Sequence, residues 1–243
     1  MAIKEITSLQ HPITKLFVKL RTSRQFRYEK KQVIITGVKQ VLEAKNLEVL
    51  LIKKGFHFSL EEKETYIVTD EILKKATGVE TPEPVAAIVT MPEWSSLEGK
   101  NWIICLDRVS DPGNLGTLLR TALALGWEGA FLTEGCVDPF NDKAIAAAKG
   151  ATFRLPMKRG TLKELMDFAT DFTTWIADTE GTPLSKISVN KKTLLILGNE
   201  ARGISEELRV HFSAISIPIS EMESLNVAAA GAILMYNLKA AVL

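Results

Sequence analysis

The chain has two cysteines, Cys105 and Cys136, and three histidines in 243 residues. Two cysteines cannot build a disulfide framework, and they form neither a CxxC pair nor a metal-ligand cluster, so no metal is expected. His11, His57 and His211 are scattered without triad spacing, which leaves a serine or cysteine hydrolase unsupported. No apolar run approaches the roughly 18 to 20 residues of a membrane span. The opening residues, MAIKEITSLQ, lack the apolar core of a signal peptide. Two glycine signatures are also missing, GxGxxG after the first strand and GxxxxGK[ST]. These absences predict a cytoplasmic protein without a membrane partner. An apolar fraction of 46% against 24% charged is enough for packed cores.

A net charge of +1 conceals an uneven distribution. Residues 1–40 hold nine cationic side chains (Lys4, Lys15, Lys19, Arg21, Arg24, Arg27, Lys30, Lys31 and Lys39) against Glu5 and Glu29. Such a block suits a phosphate backbone, and equally a solvated basic helix face.

Hydrophobic periodicity divides the chain. Ile13, Leu16, Phe17 and Leu20 form an i, i+3, i+4, i+7 stripe behind Pro12, an amphipathic helix. Residues 32–36, 47–52, 65–69 and 84–90 read as strands, with a helix over 38–46. Together, residues 1–90 make a small α/β domain. Residues 91–100, with Pro92, Ser95, Ser96 and Gly99, read as a linker. Residues 101–243 then alternate. Strands are expected at 102–106, 129–133, 153–156, 173–178, 193–198 and 214–218. Helices are expected at 114–125, near 140–148, at 161–170, at 204–211 and from about Ser224. Alternation of this kind predicts an open, mostly parallel sheet covered on both faces.

Three strand ends carry loop chemistry. LDRVSDPGNLGTLLRTALALG places a turn at Asp111-Pro112-Gly113 and Asn114 as the helix N-cap. Arg120 lies nearly opposite the stripe of Leu115, Leu118, Leu119, Ala122 and Leu125, so it faces solvent, a partner chain or a cleft. LILGNEARGIS stops an apolar strand at Gly198, where glycine permits unusual backbone angles or a close ligand approach. IPISEMESLNVAAAGAILMYN leads through a polar loop to a helix with small residues on one flank, Ala228 to Ala230, Gly231 and Ala232.

In order, DPGNLGTLLRTA, LILGNEARGIS and IPISEMESLNVAAA resemble the three motifs of the SpoU (TrmH-like) branch of the SPOUT superfamily. The likeness spans residues 101–243. TSLQHPITKLFVKL, GVKQVLEA and ETPEPVAAIV extend it more weakly to an N-terminal RNA-binding domain. The resemblance implies an RNA ribose 2'-O-methyltransferase using S-adenosylmethionine, with ribosomal RNA favoured over transfer RNA. It further implies a C-terminal deep trefoil knot and a homodimer sharing its active site. Carried over, the catalytic group is Arg120 with Asn114, Glu200 and Asn226. The donor site is Leu197, Gly198, Asn199, Gly203, Ile217, Ser224 and Leu225. RNA contacts fall to Arg21, Arg24, Arg27, Lys143 and Lys149. Arg120 is either a base or a phosphate clamp.

Three departures stand out. Ala146 and Ala148 replace an arginine and a serine, Ala201 replaces a glycine, and the loop from Ile217 to Leu225 is one residue short. A non-catalytic RNA-binding paralogue is the alternative reading. A dinucleotide-dependent enzyme lacks its glycine signature.

Overall fold

The computed structural model describes residues 3–58, 60 and 64–241. They separate into two compact units, Met1–Pro92 with Phe140–Ala146, and Glu93–Pro139 with Ala147–Leu243.

The first unit runs β1 (Lys4–Ile6), α1 (Pro12–Thr22), α2 (Arg24–Lys30), β2 (Gln32–Thr36), α3 (Val38–Glu43), β3 (Leu47–Lys53), β4 (Glu64–Val68), α4 (Asp70–Thr77) and β5 (Val85–Thr90). Its sheet has the order β1-β4-β3-β5-β2 and is mixed. β3 pairs in parallel with β4 and antiparallel with β5. Phe17 and Leu20 from the expected stripe are buried with Ile34, Leu51, Ile72 and Ile88. Three elements were not expected from periodicity. β1 is short. α2 buries a charged residue, Arg27. α4 lies behind a Thr69 N-cap and ends at Gly78 in the left-handed region, a pair of signals that the sequence does carry.

The second unit contains β6 (Trp102–Leu106), α5 (Pro112–Ala124), β7 (Gly129–Thr133), α6 (Asp142–Ala148, partly grouped with the first unit), β8 (Met157–Gly160), α7 (Leu162–Ala169), β9 (Thr173–Pro183), β10 (Thr193–Leu197), α8 (Glu206–His211), β11 (Ser213–Ser216) and α9 (Val227–Ala240). The sheet order is β11-β9-β10-β6-β7-β8, and every pairing is parallel. β6, β7 and β10 are buried along their whole length, as a sheet covered on both faces requires. From β6 the chain moves outward through β7 and β8, then crosses to build β9, β10 and β11 on the other side. The order therefore reverses between β6 and β10, the kind of position at which open α/β sheets bind ligands.

The strand expected at 153–156 is a correction. Residues 151–153 form a 3-10 turn, and the strand is Met157–Gly160, paired with β7. Lys158 and Arg159 interrupt its apolar pattern because β8 lies at the sheet edge. β9 departs from regular pairing. β11 opposes Ile176 with Ala214 and Thr182 with Ile215, so residues 177–181 form an excursion outside the ladder. Residues 95–97 pack into the second unit. The Ser95 N–H donates to the Met157 carbonyl, and Leu97 is buried.

α5 and α9 pack through a close contact at Gly231. A Cβ there would meet Leu118 at 2.4 Å and Leu197 at 2.9 Å. Leu118→Ala should cost about 2–5 kcal/mol through the cavity it leaves. Thr117→Ala, on the exposed face of the same helix, should stay within about 0.5 kcal/mol. Denaturant titration of both variants checks the contrast.

Candidate active site

Asp107, the residue after β6, joins the two strand ends. Its N–H donates to the Leu197 carbonyl at 2.8 Å. Its side chain is fully buried. It accepts from the Ser205 N–H at 2.8 Å, the Ser205 hydroxyl at 2.9 Å and the Thr133 hydroxyl at 3.2 Å. Arg108 Nε lies 3.3 Å away and supplies the opposite charge. Buried carboxylates persist only when paired and hydrogen-bonded, and this one is. Sequence reasoning passed over Asp107, although an aspartate directly after a fully apolar strand was a usable signal.

Beyond β10 the chain folds into a tight hairpin. Asn199 and Gly203 exchange both backbone hydrogen bonds, at 3.0 and 2.9 Å. The Asn199 carboxamide oxygen accepts from the Ala201 and Arg202 N–H groups, each at 3.0 Å. Its Nδ2 donates to the Arg108 carbonyl at 2.7 Å. Gly203 has a φ of +66°, where a side chain is strained. A Cβ on Gly198 would sit 2.5 Å from the Gly203 carbonyl carbon. The hairpin thus lies directly against Gly198, so a glycine is required there.

Glu200 projects from this hairpin to the loop after β6. Its carboxylate accepts from the Ser110 N–H at 3.1 Å, the Ser110 hydroxyl at 3.0 Å, the Asp111 N–H at 3.1 Å and Asn114 Nδ2 at 3.0 Å. Partial burial raises its pKa. Hydrogen bonds from Asn114 and from the Glu200, Ser110 and Asp111 backbones outweigh that effect and lower the value to about 2. The Asn114 side-chain oxygen in turn accepts from Asn226 Nδ2 at 3.0 Å. Glu200, Asn114 and Asn226, one from each motif, are therefore a single network.

Capping corrects one assignment and settles another. Asp111, not Asn114, is the N-cap of α5, accepting from the Asn114 N–H at 2.7 Å. That frees the Asn114 side chain for Glu200. Asn226 is the N-cap of α9 and accepts from the Ala228 and Ala229 N–H groups at 2.9 and 3.3 Å.

A cavity of about 550 Å³ lies beside this network. Leu197, Gly198, Asn199, Gly203, Ile217, Ser224 and Leu225 all line it, as do Glu200 and Asn226. Asp178, Thr179 and Arg209 line it too, and sequence reasoning missed them. Asp178 lies in what reads as continuous strand, and Arg209 on a short helix without a motif. Apolar side chains from Leu197, Ile215, Ile217, Leu225 and Leu234 occupy the same walls as backbone and carboxylate groups. This mixture fits a small ligand that has both apolar and polar parts.

Arg120 is not brought to the cavity. It is exposed on α5 and absent from the cavity lining. Lys143 and Lys149 are exposed. Of the two alanine departures, Ala146 is exposed and Ala148 is fully buried. Arg24 is exposed, with its guanidinium 5.3 Å from the Tyr28 ring centroid. Arg21 is half-buried, and its guanidinium fills the space where a Cβ on Gly78 would lie. Arg27 is a correction. It is 4% exposed and donates to the Leu20 and Arg21 carbonyls at 2.8 and 3.0 Å. It closes the end of α1 and cannot reach a phosphate.

Among the described residues, no helix is long and apolar enough to cross a membrane, and no group of three or more His, Cys, Asp or Glu side chains could hold a metal ion.

Parallel strands with a cavity lined from β9, β10, β11 and α9, beside a polar network from three strand-end motifs, define the class. Residues 101–236 match the SpoU rRNA Methylase family, and the chain belongs to that family. It is 31% identical to the 23S rRNA (guanosine(2553)-2'-O)-methyltransferase RlmP of Bacillus subtilis, across 98% of this chain and 100% of the relative. It is 33% identical to an uncharacterized tRNA/rRNA methyltransferase of Synechocystis, across 97% and 93%. The solved structure of an AdoMet-bound rRNA methyltransferase from Sinorhizobium meliloti superposes with a TM-score of 0.87 at 26% identity, covering 99% of each chain.

The depressed Glu200 pKa carries a signed consequence. A carboxylate with a folded-state value of about 2, against an ordinary 4.5, stabilises the clasp fully above the ordinary value. That contribution is lost as pH falls through the folded value. A carboxyl carbon-13 titration should place Glu200 near 2, and Asn114→Ala should move the midpoint upward toward 4.5.

Proposed function

We propose that this protein is an RNA methyltransferase that uses S-adenosylmethionine to methylate a ribose 2'-hydroxyl, with ribosomal RNA as substrate and the cytoplasm as its place of action. The observation that carries the reading is the cavity lined by Glu200 and Asn226, two members of the network that Asn114 joins. The named activity of the Bacillus subtilis relative and the bound ligand of the Sinorhizobium meliloti structure support it.

In this reading Leu197, Gly198, Asn199, Gly203, Ile217, Ser224 and Leu225 hold the donor, with backbone groups and apolar side chains around the adenine. When bound, S-adenosylmethionine supplies an electrophilic methyl group on sulfur. The chain then has two tasks, aligning the ribose hydroxyl and handling its proton. Alignment of reacting groups is worth up to about 7–11 kcal/mol in favourable cases. The rigid clasp around Glu200 keeps the cavity wall in place for it. Glu200 is a poor base, because its hydrogen bonds stabilise the carboxylate and hold its pKa at about 2. The Arg120 side chain offers hydrogen-bond donors and no acceptor. Its role here is to clamp the phosphate beside the target ribose and polarise the hydroxyl, with phosphate or water taking the proton.

Arg120 faces outward, so its participation calls for a second copy. α9 exposes Ala229, Ile233 and Tyr236 on one stripe. A homodimer over this face would bring the partner's α5 within reach and complete the site. The C-terminal segment, which supplies Ser224 to Asn226 to the cavity, is threaded as a trefoil knot in this reading.

The first ninety residues form the RNA-binding domain, with Arg24, Lys19 and Lys30 as its contacts. Lys19 Nζ lies 4.1 Å from the Phe26 ring centroid and Lys30 Nζ 5.8 Å from it. Lys143 and Lys149 add positive charge.

Single-turnover assays on ribosomal RNA with saturating donor, read by mapping 2'-O-methyl marks, test the chemistry. Arg120→Ala should lose methyl transfer while keeping fold and donor binding, since its work is done on the RNA. Near-normal transfer would remove Arg120 from the mechanism, and a wild type that binds no donor would leave the non-catalytic alternative. Light scattering at the mass of one chain, 26.8 kDa, would overturn the dimer.

Replacing Lys19, Arg24 and Lys30 with neutral residues should flatten the salt dependence of RNA binding by up to about one log–log unit per lost phosphate contact. Arg27→Ala should instead lower the melting temperature. An unchanged salt slope in the triple variant would make the basic face a solvated surface only.

A further inference from the structure

Arg209, on α8, touches two cavity walls at once. Its Nη1 is ion-paired with Oδ2 of Asp178, and its Nε donates to the Ile204 carbonyl at 3.3 Å. Asp178 belongs to the 177–181 excursion of β9, which has no ladder partner in β11. The other Asp178 oxygen accepts from the Glu180 N–H at 3.1 Å and shapes that excursion. Ile204 follows Gly203, the end of the glycine hairpin. Arg209 Nη2 lies 3.1 Å from where a Gly203 Cβ would be. The Asp178 side chain is 9% exposed and that of Arg209 38%, so the carboxylate is largely withdrawn from water while its partner spans to the surface. Asp178, Gly203 and Arg209 all line the cavity.

We propose that Arg209 and Asp178 are positioning residues for donor affinity, a clamp that fixes the distance between the β9 excursion and the glycine hairpin. Neither wall is held in a continuous ladder, since residues 177–181 lack partners in β11 and the hairpin has one isolated bridge, and such segments open locally more easily than ladder strands. Without the clamp they move independently, and ligand binding has to order them. A guanidinium suits the task because its planar fork donates to a carboxylate and a carbonyl at the same time. A lysine ammonium in that place satisfies one wall. The inference rests on the donor-binding reading above.

Calorimetry with S-adenosylmethionine separates the two ideas. Arg209→Met and Asp178→Asn should each weaken binding about tenfold, within the coupling range of contacting groups. Arg209→Lys should recover part of the loss, and the double variant should bind no worse than the weaker single one. In the donor-free variants, hydrogen exchange should quicken at 177–181 and 199–203 together, with β6 and β7 unchanged. A wild type that binds no donor overturns the donor-binding reading, and the clamp with it. A wild type that binds, with both folded single variants within twofold of it, overturns the clamp alone. Additive losses in the double variant overturn it as well.

Discussion

Two loops leave the adjacent ends of β6 and β10, and the Glu200 carboxylate, which also lines the cavity, ties one to the other. One carboxylate takes four hydrogen bonds from Ser110, Asp111 and Asn114 across a sequence gap of 86 to 90 residues. Hydrogen bonds to an ionised group are stronger than neutral ones, and several on one acceptor fix direction as well as distance. The same contacts lower the Glu200 pKa to about 2, so the clasp stays charged under ordinary conditions. A side chain committed in this way serves poorly as a proton acceptor. Its value to the site is geometric.

Asp107 performs the matching task at the exit of the hairpin. It is buried where Glu200 is exposed, and it ties Ser205, beyond the glycine hairpin, to the end of β6. The hairpin is thus held at both ends, by Glu200 on its outer turn and by Asp107 at its exit. Gly198 removes the last obstacle, because any Cβ there would collide with the returning backbone. Ser205 occupies the N-cap position of α8, yet its hydroxyl goes to Asp107 instead of the helix. A capping interaction worth about 1 kcal/mol is given up to hold the loop.

The parts of the molecule differ in how far they could be read in advance. Fully buried parallel strands announce themselves as apolar runs, and β6, β7 and β10 were found within a residue of their observed limits. Glycine and carboxylate placed just after such a run signalled a ligand loop. Edge elements were harder. β8 carries Lys158 and Arg159 because one side of it has no neighbour, and α2 hides a buried arginine that composition counts as surface charge. Arg27 shows the general limit, since a cation that satisfies the carbonyls at a helix end looks the same in sequence as one that meets a phosphate.

The sequence by itself determined the parallel architecture of the second unit and the three strand-end motifs, because these follow from local periodicity and turn chemistry; that Gly198 must be a glycine came from the returning backbone of the hairpin. Tertiary structure alone decided which polar groups meet. Asn114 turned from a cap to a bridge because Asp111 capped first. Asp178 joined Arg209 because β9 leaves its ladder for residues 177–181. Arg120 turned away from the cavity because the apolar stripe of α5 must face the core. Contacts of this kind join residues far apart in the chain, and only the packed sheet, with its reversed strand order, brings them within hydrogen-bonding distance.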